Sequence, residues 1–289
     1  MGIDVHALNF LQHAIKKKRL GDTMTIGRQG LHVTEAEVKE FVMLNPDYRT
    51  HPYCEELLIE YFGATKVESI DNSDYEKATH IHNMNSPLPK HLCQSFDTVI
   101  DGGCLEHVYN APQALANCSL LCKPGGQIIH ILPANNFCGH GFWQFSPELF
   151  FSLYSTKNGY AETEVFLADL SDTSRWFPVQ EPKNGKRVNV ASSTELYVLV
   201  RTVLQTTSFS HSEVQQSDYA YEWEQAAMAN PKPATKPGRL KQALKNMPLV
   251  YKLLSPPYNR YLRSRIETGL NEKNPGLTMI RVKAHLLSD

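Results

Sequence analysis

The sequence predicts an α/β fold built on a doubly wound, mostly parallel sheet, and three observations predict it. Between residues 22 and 132, β-type runs alternate with helical ones, in the order strand, helix, strand, repeated. The helix predicted over 111–121 is broken by Lys123-Pro124-Gly125-Gly126 and turns into a strand over 127–132, a crossover unit that joins parallel strands. The β-rich runs 162–167 and 195–203, linked by a polar stretch over 182–187, read as an antiparallel pair at a sheet edge.

Each element has a local cause. Asp4 precedes apolar residues at Leu8, Leu11 and Ile15, and Lys16, Lys17, Lys18 and Arg19 follow, which is a capped amphipathic helix with cations at its negative end. Thr23-Met24-Thr25-Ile26-Gly27 is a short strand, and Thr34-Glu35-Ala36-Glu37 is a capping box that opens the next helix. A helix over 52–62 stops at Gly63, and strands follow over 66–71, 79–82 and 96–101. Ser146-Pro147-Glu148 starts a further helix with Ser as N-cap and Pro at its first position. Ser210 to Glu213 is another capping box, opening a helix to about Met228, and the Pro-rich stretch 230–238 reads as a linker. Leu240, Leu244, Met247, Val250, Tyr251 and Leu254 then recur at helical spacing.

Composition narrows the function. The chain has 289 residues, 42% hydrophobic and 20% charged, enough for a real core and unlike a disordered or fibrous chain. Twenty-nine Lys and Arg against 30 Asp and Glu leave no global basic field, so nucleic acid is not an expected partner. Six cysteines without a CxxC pair or zinc-like spacing argue for reduced thiols and no structural metal. No stretch is long enough to span a bilayer, and a cytoplasmic protein is expected. The segment 232–265 holds nine Lys and Arg and no acid; it reads either as a solvated face or as a peripheral contact with an anionic membrane.

In a parallel α/β sheet, ligands bind beyond the carboxyl ends of the strands, where strand order reverses. The run Phe96-Asp97-Thr98-Val99-Ile100-Asp101-Gly102-Gly103-Cys104-Leu105-Glu106-His107-Val108 is followed by a helix and then by Leu121-Cys122-Lys123-Pro124-Gly125-Gly126-Gln127-Ile128-Ile129. In order and spacing this resembles the class I S-adenosylmethionine-dependent methyltransferases, and the resemblance extends more weakly over residues 22–203. It implies a Rossmann-like, mostly parallel seven-stranded sheet with an antiparallel edge. The expected domains are an N-terminal helix over 1–21, the methyltransferase-like domain over 22–204 and a helical, basic extension over 205–289.

The resemblance also implies a site. Its cofactor is S-adenosylmethionine, with Gly27, Arg28 and Gln29 in the first loop, where the family has an acid and three alternate glycines and this chain keeps only Gly27. Arg28 or Gln29 would instead bond the cofactor's carboxylate. Asp71 would accept from both ribose hydroxyls, Asn83 and Met84 would meet the adenine, and Asp101 and Gly102 would lie beside the reacting methyl group. His107 and His140 are the candidate catalytic bases, and Asn135, Asn136, Trp143 and Gln144 the candidate acceptor contacts, in a loop of amides and aromatics between glycines. His80 and His82 alternate onto one strand face without a third ligand, and no metal is expected. The resulting expectation is methyl transfer to oxygen or nitrogen of a small-molecule or glycan-type acceptor. Two other readings stay open: a catalytically inactive module serving as a partner or membrane-surface adaptor, and a nicotinamide-dependent dehydrogenase, which the missing GxGxxG disfavours.

Overall fold

The computed structural model describes residues 2–41, 51–206, 214–228, 256–257 and 269–283. A short strand β1 (Gly2–Ile3) leads into helix α1 (Val5–Lys17), whose cap Asp4 accepts the Ala7 N–H at 2.8 Å, with Lys16 and Lys17 in the last turn. Strands β2 (Gly21–Ile26) and β3 (Gly30–Leu31) and helix α2 (Glu35–Phe41) follow. The predicted capping box closes in both directions: Glu37 accepts from the Thr34 N–H at 2.8 Å, and the Thr34 hydroxyl accepts from the Glu37 N–H at 3.2 Å. Helix α3 (Glu55–Phe62) ends at Gly63, whose φ of +71° is the left-handed turn that favours glycine.

The central run continues with β4 (Ala64–Asp71), β5 (His80–Ile81), β6 (Phe96–Gly102), α4 (Ala111–Leu121) and β7 (Cys122–Asn135). Helix α5 (Pro147–Leu153) starts at the predicted cap, where Ser146 accepts from the Glu148 N–H. The last elements are β8 (Tyr160–Asp169), β9 (Arg175–Pro178), β10 (Leu196–Leu204), α6 (Ser217–Met228) and β11 (Ile280–Arg281).

Among the described residues, nine strands form one sheet in the order β11-β9-β8-β10-β7-β6-β2-β4-β5. The five parallel strands, taken along the chain, lie third, second, first, fourth, fifth, which is the doubly wound order. Strand order therefore reverses between β2 and β6. β10 runs antiparallel to both β7 and β8, closing the parallel half as expected.

Three sequence expectations are corrected. The sheet has nine strands rather than seven, and β8 and β10 are not its edge, because β9 and β11 add two further antiparallel strands outside them. Runs of four and two residues are too short to show alternation in sequence; they pair because they cover backbone groups that would otherwise be left open at the edge. The region 205–289 is not wholly helical either, since its residues Ile280 and Arg281 supply β11. Helix α6 begins at Ser217, after non-helical residues 214–216, and is described as far as Met228; the Ser210 to Glu213 capping box lies outside the described residues, as does the basic run 232–265 apart from 256–257. Among the described residues no helix is long and apolar enough to cross a membrane.

Two apolar layers sandwich the sheet. Val99, Ile128, Leu132, Val198 and Val200 point to the layer that includes residues of α4 and α5, whereas Ile100, Ile129, Ile131 and Leu199 point to the layer that includes residues of α1 and α3. This is the period-two alternation of strands covered on both faces. Phe10 of α1 meets Phe166 and Trp176 edge-on at 5.7 and 5.8 Å between ring centroids.

Polar groups tie the same helix to the sheet. Glu164 on β8 meets Lys17 at 2.9 Å and His13 at 3.4 Å, and fully buried Arg201 on β10 lies 3.6 Å away. Burial raises the Glu164 carboxyl, but the hydrogen bonds from His13 and Lys17 outweigh it and bring the pKa down to about 2. A depressed carboxylate stabilises the fold above its unfolded value, about 4.3, and that stabilisation disappears as pH falls toward 2. Glu164→Gln is expected to cost roughly 2 kcal/mol at pH 7 and much less at pH 3, checked by urea denaturation at both pH values. An equal loss at both would contradict the assignment.

Candidate active site

The reversal point puts the carboxyl ends of β2 and β6 side by side, with Ile26 in register with Asp101. Asp101 is fully buried and its carboxylate is committed. Oδ1 accepts the N–H groups of Cys104 and Leu105 at 3.0 and 3.3 Å, fixing the 3-10 turn Leu105–His107. Oδ2 accepts from Nδ1 of His130, its cross-strand neighbour on β7, at 2.9 Å; the Tyr154 hydroxyl donates to Nε2 of the same ring at 2.7 Å. Burial pushes the Tyr154 hydroxyl well above its ordinary range, so it stays a donor. Asp101 thus positions the turn and braces two strands, at the end of β6 where the resemblance implies the reacting methyl group.

Beyond Asp101 the backbone is bare. Gly102 and Gly103 form the floor of a cavity of about 250 Å³, walled by Gly2, Asp4, His32, Glu106, Ile131, His140 and Tyr197. That is just under the range of about 300–1,000 Å³ usual for a complete small-ligand site. β1 pairs with β3 here and brings Gly2 and Asp4 to the rim. Sequence reasoning missed these walls, as two-residue strands leave no periodic signal. Tyr197, which lies next to Leu196 at the start of β10, gave only the alternation of an ordinary strand.

The loop after β2 turns at Gly27, with φ of +73°. Gln29, at a position where the resemblance implies glycine, is 1% exposed and folds its amide back, donating from Nε2 to the Ile26 carbonyl at 2.6 Å. Its Oε1 has no hydrogen-bond partner, and a Cβ added to Gly102 would stand only 2.7 Å from it. Arg28 points the other way: Nε meets Glu55 at 2.7 Å, one terminal nitrogen donates to the Glu76 carbonyl, and the guanidinium lies 3.9 Å from the centroid of Tyr53. Nε and one terminal nitrogen of Arg28 are thus engaged by Glu55 and Glu76.

Asp71 ends β4 beside the reversal point, half-buried, and takes the Ser73 N–H on Oδ1 at 3.2 Å. Asn83 is exposed and its Oδ1 already accepts from the Asn85 backbone and side chain, at 2.9 and 2.8 Å. Met84 is buried in the core, its carbonyl held by Asn117. His80 pairs with Glu68, and His82 approaches the Ser86 carbonyl, so these two histidines do not act together.

The loop after β7 is docked rather than free. The Phe142 and Trp143 N–H groups donate to the Glu106 carbonyl at 2.6 and 3.3 Å, and the Trp143 indole donates to the Val108 carbonyl at 3.0 Å. Asn136 holds the carbonyls of Ser192 and Thr194, and Gln144 accepts the Phe137 N–H. Their polar ends are thus spent on shaping the loop, while the Phe142 and Trp143 rings stay exposed and Asn135 sits half-buried at the end of β7. Docking brings together the two predicted bases, with the His107 and His140 rings 5.0 Å apart, and sets them against Glu106. Burial, with a contribution from Asp101, pushes the Glu106 carboxyl up to about 8, and burial beside His140 lowers His107.

No protein-family model matches the chain, and no curated protein matches it in sequence. Among solved structures it is similar to an S-adenosylmethionine-dependent methyltransferase from Thermotoga maritima, at 17% identity and a TM-score of 0.37, over 70% of this chain and 92% of that one. It is also similar to phosphoethanolamine N-methyltransferase 2 from Haemonchus contortus, which was solved with S-adenosylmethionine, at 13% identity and 0.38 over 68% and 52% of the two chains. A third is the Burkholderia thailandensis 1,6-didemethyltoxoflavin-N1-methyltransferase, at 12% identity and 0.37 over 70% and 78%. Overlaps this loose decide neither fold nor activity; the strand order carries the fold.

Proposed function

We propose that this chain transfers a methyl group from S-adenosylmethionine to an oxygen or nitrogen of a small-molecule or glycan-type acceptor. The observation that carries the reading is the bare Gly102-Gly103 floor at the point of strand reversal, with an orphaned acceptor, Gln29 Oε1, beside Gly102, while Asp71 ends β4 on the far side of β2. These residues fit the cofactor. Asp71 takes the ribose hydroxyls, Gln29 Oε1 meets the ammonium of the amino-acid end, and Met84 backs the adenine side.

When bound, the cofactor supplies a methyl group already activated by its sulfonium. The protein's share is then alignment and exclusion of water. The cavity beyond Gly103 seats the acceptor, Ile131 and Tyr197 give it apolar walls, and Nε2 of His140, which lines the cavity, or of His107, whose ring lies 5.0 Å from that of His140, takes its proton where one must leave. One observation favours the rival reading of an inactive module: Gln29 fills space that glycine would leave open.

S-Adenosylhomocysteine at about 100 times its Kd is expected to stabilise the fold by about 2.7 kcal/mol. For a chain of this size that raises Tm by several degrees, roughly 2–4 °C for each kcal/mol. No shift at millimolar ligand would favour the inactive module.

A further inference from the structure

We propose that Glu106, His107 and His140 form a binding site for a divalent first-row transition-metal ion, which neither the sequence motifs nor the cofactor reading requires. Two imidazole nitrogens and one carboxylate oxygen converge here, with Glu106 Oε1 lying 3.8 Å from Nε2 of His107 and 3.5 Å from Nε2 of His140. All three ligand atoms lie within 4.8 Å of one another. A tetrahedral ion with bonds of about 2.1 Å separates its ligand atoms by roughly 3.4 Å, so rotations of two half-exposed imidazoles close the site.

The second, independent observation is Glu106 itself. It is 2% exposed, yet Oε2 has no hydrogen-bond partner. A buried carboxylate is costly unless something positive meets it, and among the described residues His107 and His140 face Glu106 Oε1. The surrounding backbone is shaped to hold them: Gly103 and Gly141 have positive φ, and a Cβ on Gly141 would stand 2.8 Å from the Glu106 carbonyl. Any other residue at 141 would lift His140 away from its place.

The ligand set also selects the ion. Imidazole suits zinc, iron, cobalt, nickel and copper, whereas magnesium and calcium prefer oxygen alone, and two histidines with one carboxylate leave coordination positions open. Glu106 and His140 line the cavity beyond Gly102, so those positions open toward it. With an ion bound, both Nε2 atoms are taken and neither serves as the base; the site stands whether or not the chain binds S-adenosylmethionine.

The test uses the full chain, stripped with a chelator and titrated with Zn²⁺ by calorimetry and with Co²⁺ by visible absorption. One equivalent is expected to bind, with cobalt giving the absorption bands of nitrogen and oxygen ligation. His140→Ala changes a half-exposed side chain and is expected to leave the fold and Tm intact while weakening Zn²⁺ roughly 100-fold or more. Glu106→Gln, which keeps the shape, is expected to weaken it likewise. His80→Ala, which removes the histidine of a separate Glu–His pair with Glu68, should leave Zn²⁺ affinity unchanged. Absence of saturable Zn²⁺ and Co²⁺ binding, or binding that survives both His140→Ala and Glu106→Gln, would overturn the proposal.

Discussion

Asp101→Ala is expected to destabilise the protein by roughly 3–5 kcal/mol, the largest single effect foreseen. The substitution removes the acceptor for three donors at once: His130 Nδ1 at 2.9 Å and the N–H groups of Cys104 and Leu105. Water does not reach the side chains of Asp101 and His130. Each orphaned donor costs about 1–3 kcal/mol, and the Tyr154 hydroxyl loses its fixed partner if the His130 ring turns. Asp101→Asn keeps one oxygen for the two backbone donors and is expected to cost less than half as much. Urea denaturation ranks the three proteins; a loss below about 1 kcal/mol for the alanine variant would show that the buried network is not what joins β6 to β7.

Gly102→Val is expected to weaken S-adenosylhomocysteine binding by roughly two orders of magnitude, about 2.7 kcal/mol, while the fold survives. Gly102 does not have a positive φ, so the backbone tolerates a side chain. Space is the obstacle: the new Cβ stands 2.7 Å from Gln29 Oε1, and the valine methyls extend over the cavity floor. Gln29 is buried and tied to the Ile26 carbonyl, so it has little room to give. The displaced atom is the one assigned to the ammonium of the cofactor. Calorimetric titration of the variant checks this, and affinity within threefold of wild type would remove Gln29 and Gly102 from the cofactor's surroundings.

How far the sequence could be read depended on whether a feature was local. Asp4, the Thr34 and Glu37 pair, Ser146 and Gly63 mark helix ends by rules that act within four residues, and the structure uses all of them. The alternation of Val99 with Ile100 and of Ile128 with Ile129 followed from strands covered on both faces. What stayed hidden depends on partners far apart in the chain. Asp101 and His130 face each other across 29 positions, Arg28 and Glu55 across 27, and Lys17 and Glu164 across 147, and no periodicity announces such pairs. In the site, His107 and His140 stood out as residue types, but their convergence on Glu106 comes from the Phe142 and Trp143 amides docking on the Glu106 carbonyl. Strands β1, β3, β9 and β11 are too short for a pattern and exist because an adjacent strand or edge offers hydrogen bonds.

The central claim, that the ends of β2, β4 and β6 hold S-adenosylmethionine, is tested most directly by calorimetric titration of the purified chain with S-adenosylhomocysteine. The same titration is run on Asp71→Ala and with NADH as the competing class of ligand. The Asp71 carboxylate accepts a hydrogen bond from the Ser73 N–H, and the β4–β5 pairing uses its backbone, so truncating the side chain changes little in the fold. The account predicts saturable binding of S-adenosylhomocysteine, at least about tenfold weaker in Asp71→Ala, corresponding to the loss of one charge-assisted hydrogen bond pair of about 1.4 kcal/mol or more, and no binding of NADH. Binding of NADH alone, or of neither ligand, would contradict it.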